Sequence, residues 1–236
     1  MNNPSILALP IFLSITAGYV DTAGYLALQG LFTAHVTGNF VTLAASMVSG
    51  TPGALAKLLA LPVFCIVIIV TRRASYYLAA RGIPILRTML SLKVVLLAAG
   101  AALAIVYGPL LSLGGGPALA TGLTLVAAMA IQNAAQKIHL GSSPPTTLMT
   151  GTTTQIMIDV ADLLGPVDKQ APAKSRISRL TASVIAFALG CGVAALLYAR
   201  SGVYCFLLPP ILGATTLMFH MQAFGSDLEL EKDGLK

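Results

Sequence analysis

The chain has 236 residues, 56% of them hydrophobic and 9% charged, with a formal net charge of +6. A soluble domain carries roughly 25% charged residues, and a chain this short cannot fold so much apolar surface into a water-soluble core. Composition therefore selects a membrane protein whose first partner is the lipid bilayer, and the basic residues, which fall in connections between apolar runs, read as a topology signal with no nucleic acid implied.

Crossing a bilayer as a helix takes about 20 mostly apolar residues. The first stretch that qualifies covers 5–28. No Lys or Arg precedes it and no small-residue cleavage site follows, so it reads as a retained span and not a signal peptide. It carries Asp21, the only acid before Asp159. An ionised carboxylate at bilayer depth costs at least about 2.5–3.5 kcal/mol. Asp21 is thus expected to be protonated, paired or beside water. It would serve either as a proton- or cation-coupling group or in a structural hydrogen bond to Thr37 or Asn39.

Irregular backbone follows over 30–36, and Thr37-Gly38-Asn39 opens a short apolar stretch at 38–50 that cannot cross as a helix. Thr and Asn accept hydrogen bonds from the N–H groups of a first helical turn, and Gly lets a backbone or ligand come close. His35 is placed to pair with Asp21, to contact a substrate, or to be a satisfied structural histidine.

Spans are expected next at 53–72, 87–107 and 117–138, the last ending in Gln132-Asn133. Then 140–149 is irregular, and Thr150-Gly151-Thr152 opens a second short stretch at 150–164, with Thr154 and Gln155 adding neutral polar groups. Asp159 and Asp162 share a helical face at i and i+3 and are expected to pair with Lys169 or Arg176. Spans at 178–199 and 202–222 and a polar tail at 225–236 complete the chain. Pro62 and Pro209-Pro210 should kink their helices.

The two motifs form a repeat. Asp21 to Thr37 is 16 residues, Asn133 to Thr150 is 17, and the copies are offset by 112 to 113. A duplication of this size points to a transport-type architecture of two related halves, 1–110 and 111–224. Arg72, Arg73, Arg81 and Arg87 lie after the second span, and Lys169, Lys174, Arg176 and Arg179 before the fifth. Basic residues favour the cytoplasmic side, which puts both termini there if each short stretch is re-entrant. The expected fold is all-α: six transmembrane helices in two inverted three-span repeats, each with a re-entrant extended segment plus a short half-helix. The alternative, eight crossings, separates the two basic connections. Non-helical backbone at membrane depth must be covered by protein or line water.

Cys65, Cys191 and Cys205 and the three histidines are scattered, and no dinucleotide or phosphate-binding glycine pattern is present. No metal, cofactor or ATP-driven chemistry is expected, and no nucleophile–base pair marks an enzyme. The expectation is a secondary transporter of a small polar or anionic solute. The solute would sit at the midplane between the two half-helix starts, near Thr37, Gly38, Asn39, Asn133, Thr150, Gly151 and Thr152. Asp21 would carry a proton with His35 close by, so anions would bind more tightly as pH falls. A passive channel of the same architecture and a non-transporting accessory subunit are the alternatives. Homo-oligomerisation is compatible with so small a bundle, and no residue pattern specifies it.

Gly18-x-x-Asp21, Phe32 to Asn39, Gln132-Asn133-Ala134 and Thr146-Thr147-x-Met149-Thr150-Gly151 together resemble the bacterial DUF1275 (YoaK) family, over nearly the whole chain. The resemblance implies a small bacterial inner-membrane protein with no settled activity. The extended segment plus short helix is similar in outline to the paired half-helices of nucleobase and sulfate transporter cores, an analogy of fold alone.

Overall fold

The computed structural model describes residues 4–233 apart from 142, 148 and 166; the side chains of 4–7, 167–169, 220 and 222–233 are also outside the description. Long apolar runs without strand-type alternation fold as helices: α1 Pro4–Ala27, α2 Asn39–Ser49, α3 Ala54–Ala80, α4 Ile85–Tyr107, α5 Gly116–His139, α6 Met149–Leu163, α7 Val167–Ser201 and α8 Leu208–Asp233. Short 3-10 turns occupy Val36–Gly38, Gly108–Leu113 and Gly202–Leu207, and no strand occurs among the described residues.

Among the described residues, four stretches are long and apolar enough to cross a membrane: Ala54–Ala80, Ile85–Leu113, Gly116–His139 and Gln170–Phe219. The last has 50 residues, about 75 Å if it were one straight helix, against a hydrocarbon core of about 30 Å. It turns back on itself at Gly202–Leu207. Before the turn, α7 runs in the same direction as α1: the Ser14 and Ser183 hydroxyls meet at 2.7 Å, and Gly18 lies against Phe187 and Cys191. After it, α8 runs opposite to α1: Tyr19 donates to the Cys205 carbonyl at 2.7 Å, and Phe12 stacks on Phe219 at 5.0 Å.

The remaining long helices pair in the same way. α3 and α5 start side by side, with Gly114 against Pro52 and Gly53, and they stay in contact further along, where Val67 packs against the cluster of Met89, Ile131 and Ala135. α4 opposes α5: Met89 packs with Ala135 at one end, and Gly100 lies against Leu125 towards the other. α1 opposes α5: Gln132 Nε2 donates to the Leu13 carbonyl at 2.9 Å, while Gly122 lies against Leu28 and Leu31. The core runs between these helices through Ala17, Tyr19, Ala23, Leu97, Leu125 and Met129.

These directions gather the end of α3, the start of α4 and the start of α7 at one end of the bundle. Arg72, Arg73, Arg81, Arg87, Lys174, Arg176 and Arg179 therefore share that end. There Arg72 lies over the Tyr76 ring at 4.5 Å and Arg81 over Tyr77 at 3.9 Å. Amphipathic tyrosines beside arginines are the side chains that favour a membrane–water boundary.

Three expectations are corrected. The basic connection before the fifth apolar run is not a loop, because α7 begins at Val167 and carries Lys174 and Arg176 on its first turns. The tail, whose polarity leads one to expect disorder, is helical to Asp233, since Leu, Glu and Lys at 228–232 are strong helix formers; 234–236 lie outside the described residues. Not every basic residue falls in a connection: Lys93, inside the span expected at 87–107, is on α4, 1% exposed, and its Nζ has no hydrogen-bond partner among the described residues.

Candidate functional site

After α1 ends at Ala27, the chain turns at Gln29, whose Nε2 donates to the Leu111 carbonyl at 3.2 Å. It then doubles back along α1 and returns, so that Gly53, at the start of α3, again lies against Gln29. The deepest point of this excursion is fixed by Asp21, eight residues before Gln29 and so about 12 Å down the helix axis. Asp21 is 4% exposed. Its Oδ1 accepts the backbone N–H groups of Thr33 and Ala34 at 2.7 Å each and that of His35 at 3.4 Å. Its Oδ2 meets His35 Nδ1 at 2.7 Å. Donors surround both oxygens, an arrangement that fits the acceptor-only carboxylate.

Asn39 closes the same loop. Its Oδ1 accepts from Phe32 N and its Nδ2 donates to Phe32 O, both at 2.8 Å. Neither Thr37 nor Asn39 caps a helix: the Val36–Gly38 turn and α2 have no side-chain cap hydrogen bond. The expected caps are thus replaced by a clasp across the loop, and Asp21 bonds to Thr33, Ala34 and His35 in place of Thr37 or Asn39.

The second motif has a contact of the same sequence span, between neutral groups. Asp21 contacts His35 across 14 residues, and Asn133 accepts from Thr147 Oγ1 at 2.7 Å, also across 14 residues. Thr147 is therefore the counterpart of His35; Leu148, which the offset of 113 would put in that place, lies outside the described residues. Thr33 corresponds to Pro145, which has no N–H to give. A carboxylate at 133 would lose that donor, and an amide there instead donates to the Met129 carbonyl at 3.0 Å. Gln132 Nε2 also reaches Thr146 Oγ1 at 3.2 Å.

The two motifs do not share a site. The second is level with Leu13, through Gln132. The first is level with Asp21, eight residues along α1 and about 12 Å away along the axis. Backbone contact between α1 and α7 fills the interval. A Cβ on Gly18 would stand 2.1 Å from the Phe187 carbonyl oxygen, and one on Gly190 would stand 2.2 Å from that of Ile15. The expected midplane site between two half-helix starts is therefore replaced by two separate places.

The first is a cavity of about 580 Å³ lined by Asp21, Thr22, Tyr25, Leu26, Phe32, His35, Thr37, Gly38, Phe187 and Cys191. Its walls are largely apolar, and the His35 ring, 34% exposed, packs edge-on to Phe187 at 5.3 Å. Four of the sequence-derived residues (Asp21, His35, Thr37 and Gly38) meet here. Asn39 is buried behind them. At the second place, Thr150 lies on an open face of α6 with Thr153, Thr154 and Met157; Gly151 is exposed, Thr152 buried and Asn133 half-buried. The sequence reading missed Tyr25, Phe187 and Cys191. The one-turn spacing of Phe187 and Cys191 on α7 marks a common face, but nothing local says that this face meets α1.

Asp159, fully buried, accepts from Arg176 Nε at 2.7 Å, from Arg176 Nη2, and from Gln155 Nε2 at 2.8 Å. The expected ion pair at this position is present with Arg176; the Lys169 side chain is outside the described residues. No group of three or more His, Cys, Asp or Glu able to hold a metal occurs among the described residues.

Residues 9–219 match the family model described as a protein of unknown function (DUF1275). The chain belongs to that family. No curated protein and no solved structure matches it.

Proposed function

We propose that this DUF1275 chain is a secondary transporter of small organic anions, with the His35–Asp21 cavity as its solute site. The observation that carries the proposal is an ionisable pair in a largely apolar cavity within an apolar helical bundle. Ionisable side chains at membrane depth are costly and mark solute or proton routes, and apolar cavities with a few convergent polar groups bind small molecules. The donors are His35 and the Thr37 hydroxyl, and the apolar walls of Tyr25, Leu26, Phe32 and Phe187 suit a carboxylate or sulfonate with a compact apolar body.

The proton sits on His35 in this scheme. Both Asp21 oxygens already accept hydrogen bonds from the loop, whereas the His35 ring lines the cavity and has a second nitrogen to offer there. An imidazolium there pairs with Asp21 through Nδ1 and offers Nε2–H to an anion, so a proton and an anion bind together.

The architecture of the proposal is six spans in two inverted repeats, with 28–53 and 140–166 as re-entrant excursions from opposite faces, in a bacterial inner membrane with both termini cytoplasmic. Support comes from the helix pairings. An in-plane two-fold that exchanges α1 with α5 and α3 with α7 also exchanges the parallel pairs α1/α7 and α5/α3, and the antiparallel pairs α1/α8 and α5/α4. The basic end of the bundle is the cytoplasmic one.

The test is uptake of radiolabelled small carboxylates and sulfonates into proteoliposomes. Wild type should accumulate at least one of them when the outside is acidic and should show counterflow, which a passive channel lacks. His35→Ala should reduce that flux at least about tenfold, the loss expected when a charged hydrogen bond is removed. Flux in His35→Ala equal to wild type contradicts the proposal.

A further inference from the structure

The repeat offset of 113 places Thr42 over Gln155 and Ser46 over Asp159. In the second copy these positions on α6 are gripped by Arg176 of the following long helix, with both guanidinium contacts on Asp159 and Gln155 bonded to the same carboxylate. In the first copy the equivalent positions on α2 are reached by Lys57, on α3. Its Nζ donates to the Ser46 hydroxyl and, at 3.5 Å, to the Thr42 carbonyl. Lys57 is 4% exposed, and among the described residues no acid lies within ion-pair distance of it. The same join between short and long helix is therefore built twice, once with a carboxylate and once without.

We infer that Lys57 is a positioning residue that holds α2 by a deliberately weak version of the Arg176–Asp159 latch, so that α2 is the short helix that moves and α6 the one that stays. A guanidinium gripping a carboxylate at two points is among the strongest polar contacts a protein makes. An ammonium on one hydroxyl and one distant carbonyl is far weaker. α2 has little else to hold it: it packs on α3 and on the Val36–Gly38 turn, and its outer face is bare, with Val41, Met47 and Val48 exposed. Its near end is continuous with Thr37 and Gly38, which line the His35 cavity, so its displacement opens or closes that wall. This last consequence rests on the transport reading; the unequal latches do not.

The experiment is hydrogen–deuterium exchange on the full chain in lipid nanodiscs, reading peptides over 39–49 and 149–163. In wild type, the first should exchange faster than the second. Ser46→Asp supplies the carboxylate that the second copy already has. It should slow exchange over 39–49 about tenfold, the gain expected when a neutral acceptor becomes a charged one, and leave 149–163 unchanged. Lys57→Met in the Ser46→Asp background should abolish the slowing, and Asp159→Ser alone should accelerate 149–163. Proteoliposome uptake should fall in Ser46→Asp although the fold becomes more stable, a pairing that a merely structural lysine does not produce. Equal exchange of the two helices in wild type, or no slowing in Ser46→Asp, overturns the inference. Slowed exchange in a protein that transports no tested anion leaves the unequal latches standing and removes the transport reading.

Discussion

Asp21 and Asn133 stand at matching places in the two motifs, and the residues around them differ as well: Thr33 and His35 beside the first, Pro145 and Thr147 beside the second. Three backbone N–H groups converge on Asp21, while Pro145 withholds the equivalent donor from Asn133. The carboxylate consequently anchors its own loop and presents His35 to a cavity. That His35 pairs with Asp21 was one of three readings that the residue types left open. That Asn39 clasps Phe32 was not legible, because the bond spans seven residues of irregular backbone and exists only once the loop is folded. The clasp makes a direct prediction. Asn39→Ala leaves a buried Phe32 N–H and carbonyl unpaired, at about 1–3 kcal/mol for each unsatisfied group, and should lower the thermal midpoint of the purified protein. Asn39→Asp keeps the acceptor but loses the donor and should destabilise as well. An unchanged midpoint in Asn39→Ala means the clasp is not what holds the loop.

At the scale of elements, the short helices were readable from length: 38–50 and 150–164 are α2 and α6 to within a residue or two at either end. Helix boundaries inside the polar connections were not, because α7 continues upstream on residues whose polarity says connection while their helix propensity, at Ala171, Ala173 and Lys174, says helix. The contact between α1 and α7 was invisible for a different reason. It is made by absent side chains, Gly18 against the Phe187 carbonyl and Gly190 against that of Ile15, and small residues advertise close packing without naming the partner. Gly190→Ala must push α1 and α7 apart, and overpacking of this kind costs about 1–3 kcal/mol. Gly192→Ala, two residues on, meets nothing within 4 Å and should be neutral or slightly stabilising, since Ala is the better helix former. Thermal midpoints of the two variants in the same detergent compare them directly. Equal midpoints contradict the close-packed seam.

For the whole molecule, the charge bias anticipated that the arginines around the end of α3 and at the start of α7 share one end of the bundle. The repeat suggested a shared central site, and the fold separates the two loops by about 12 Å of α1 with dry backbone packing between them. The first half thus carries the ionisable pair, the cavity and the weakly held helix, and the second half carries the neutral loop and the firm ion pair. Lys93 stands apart from both, an unpartnered amine on α4 that neither the motif nor the cavity explains.

If the His35 cavity is an anion site, Cys191 in its wall reports it directly. In a Cys65→Ser background, which removes the exposed thiol, the rate of Cys191 modification is compared for an anionic and a cationic methanethiosulfonate of similar size. Taking the ratio of the two at one pH cancels the reactivity of the thiol itself. The anionic-to-cationic ratio should be severalfold higher in wild type than in His35→Gln, where the cation beside Asp21 is gone. Equal ratios in the two proteins contradict an anion site at His35.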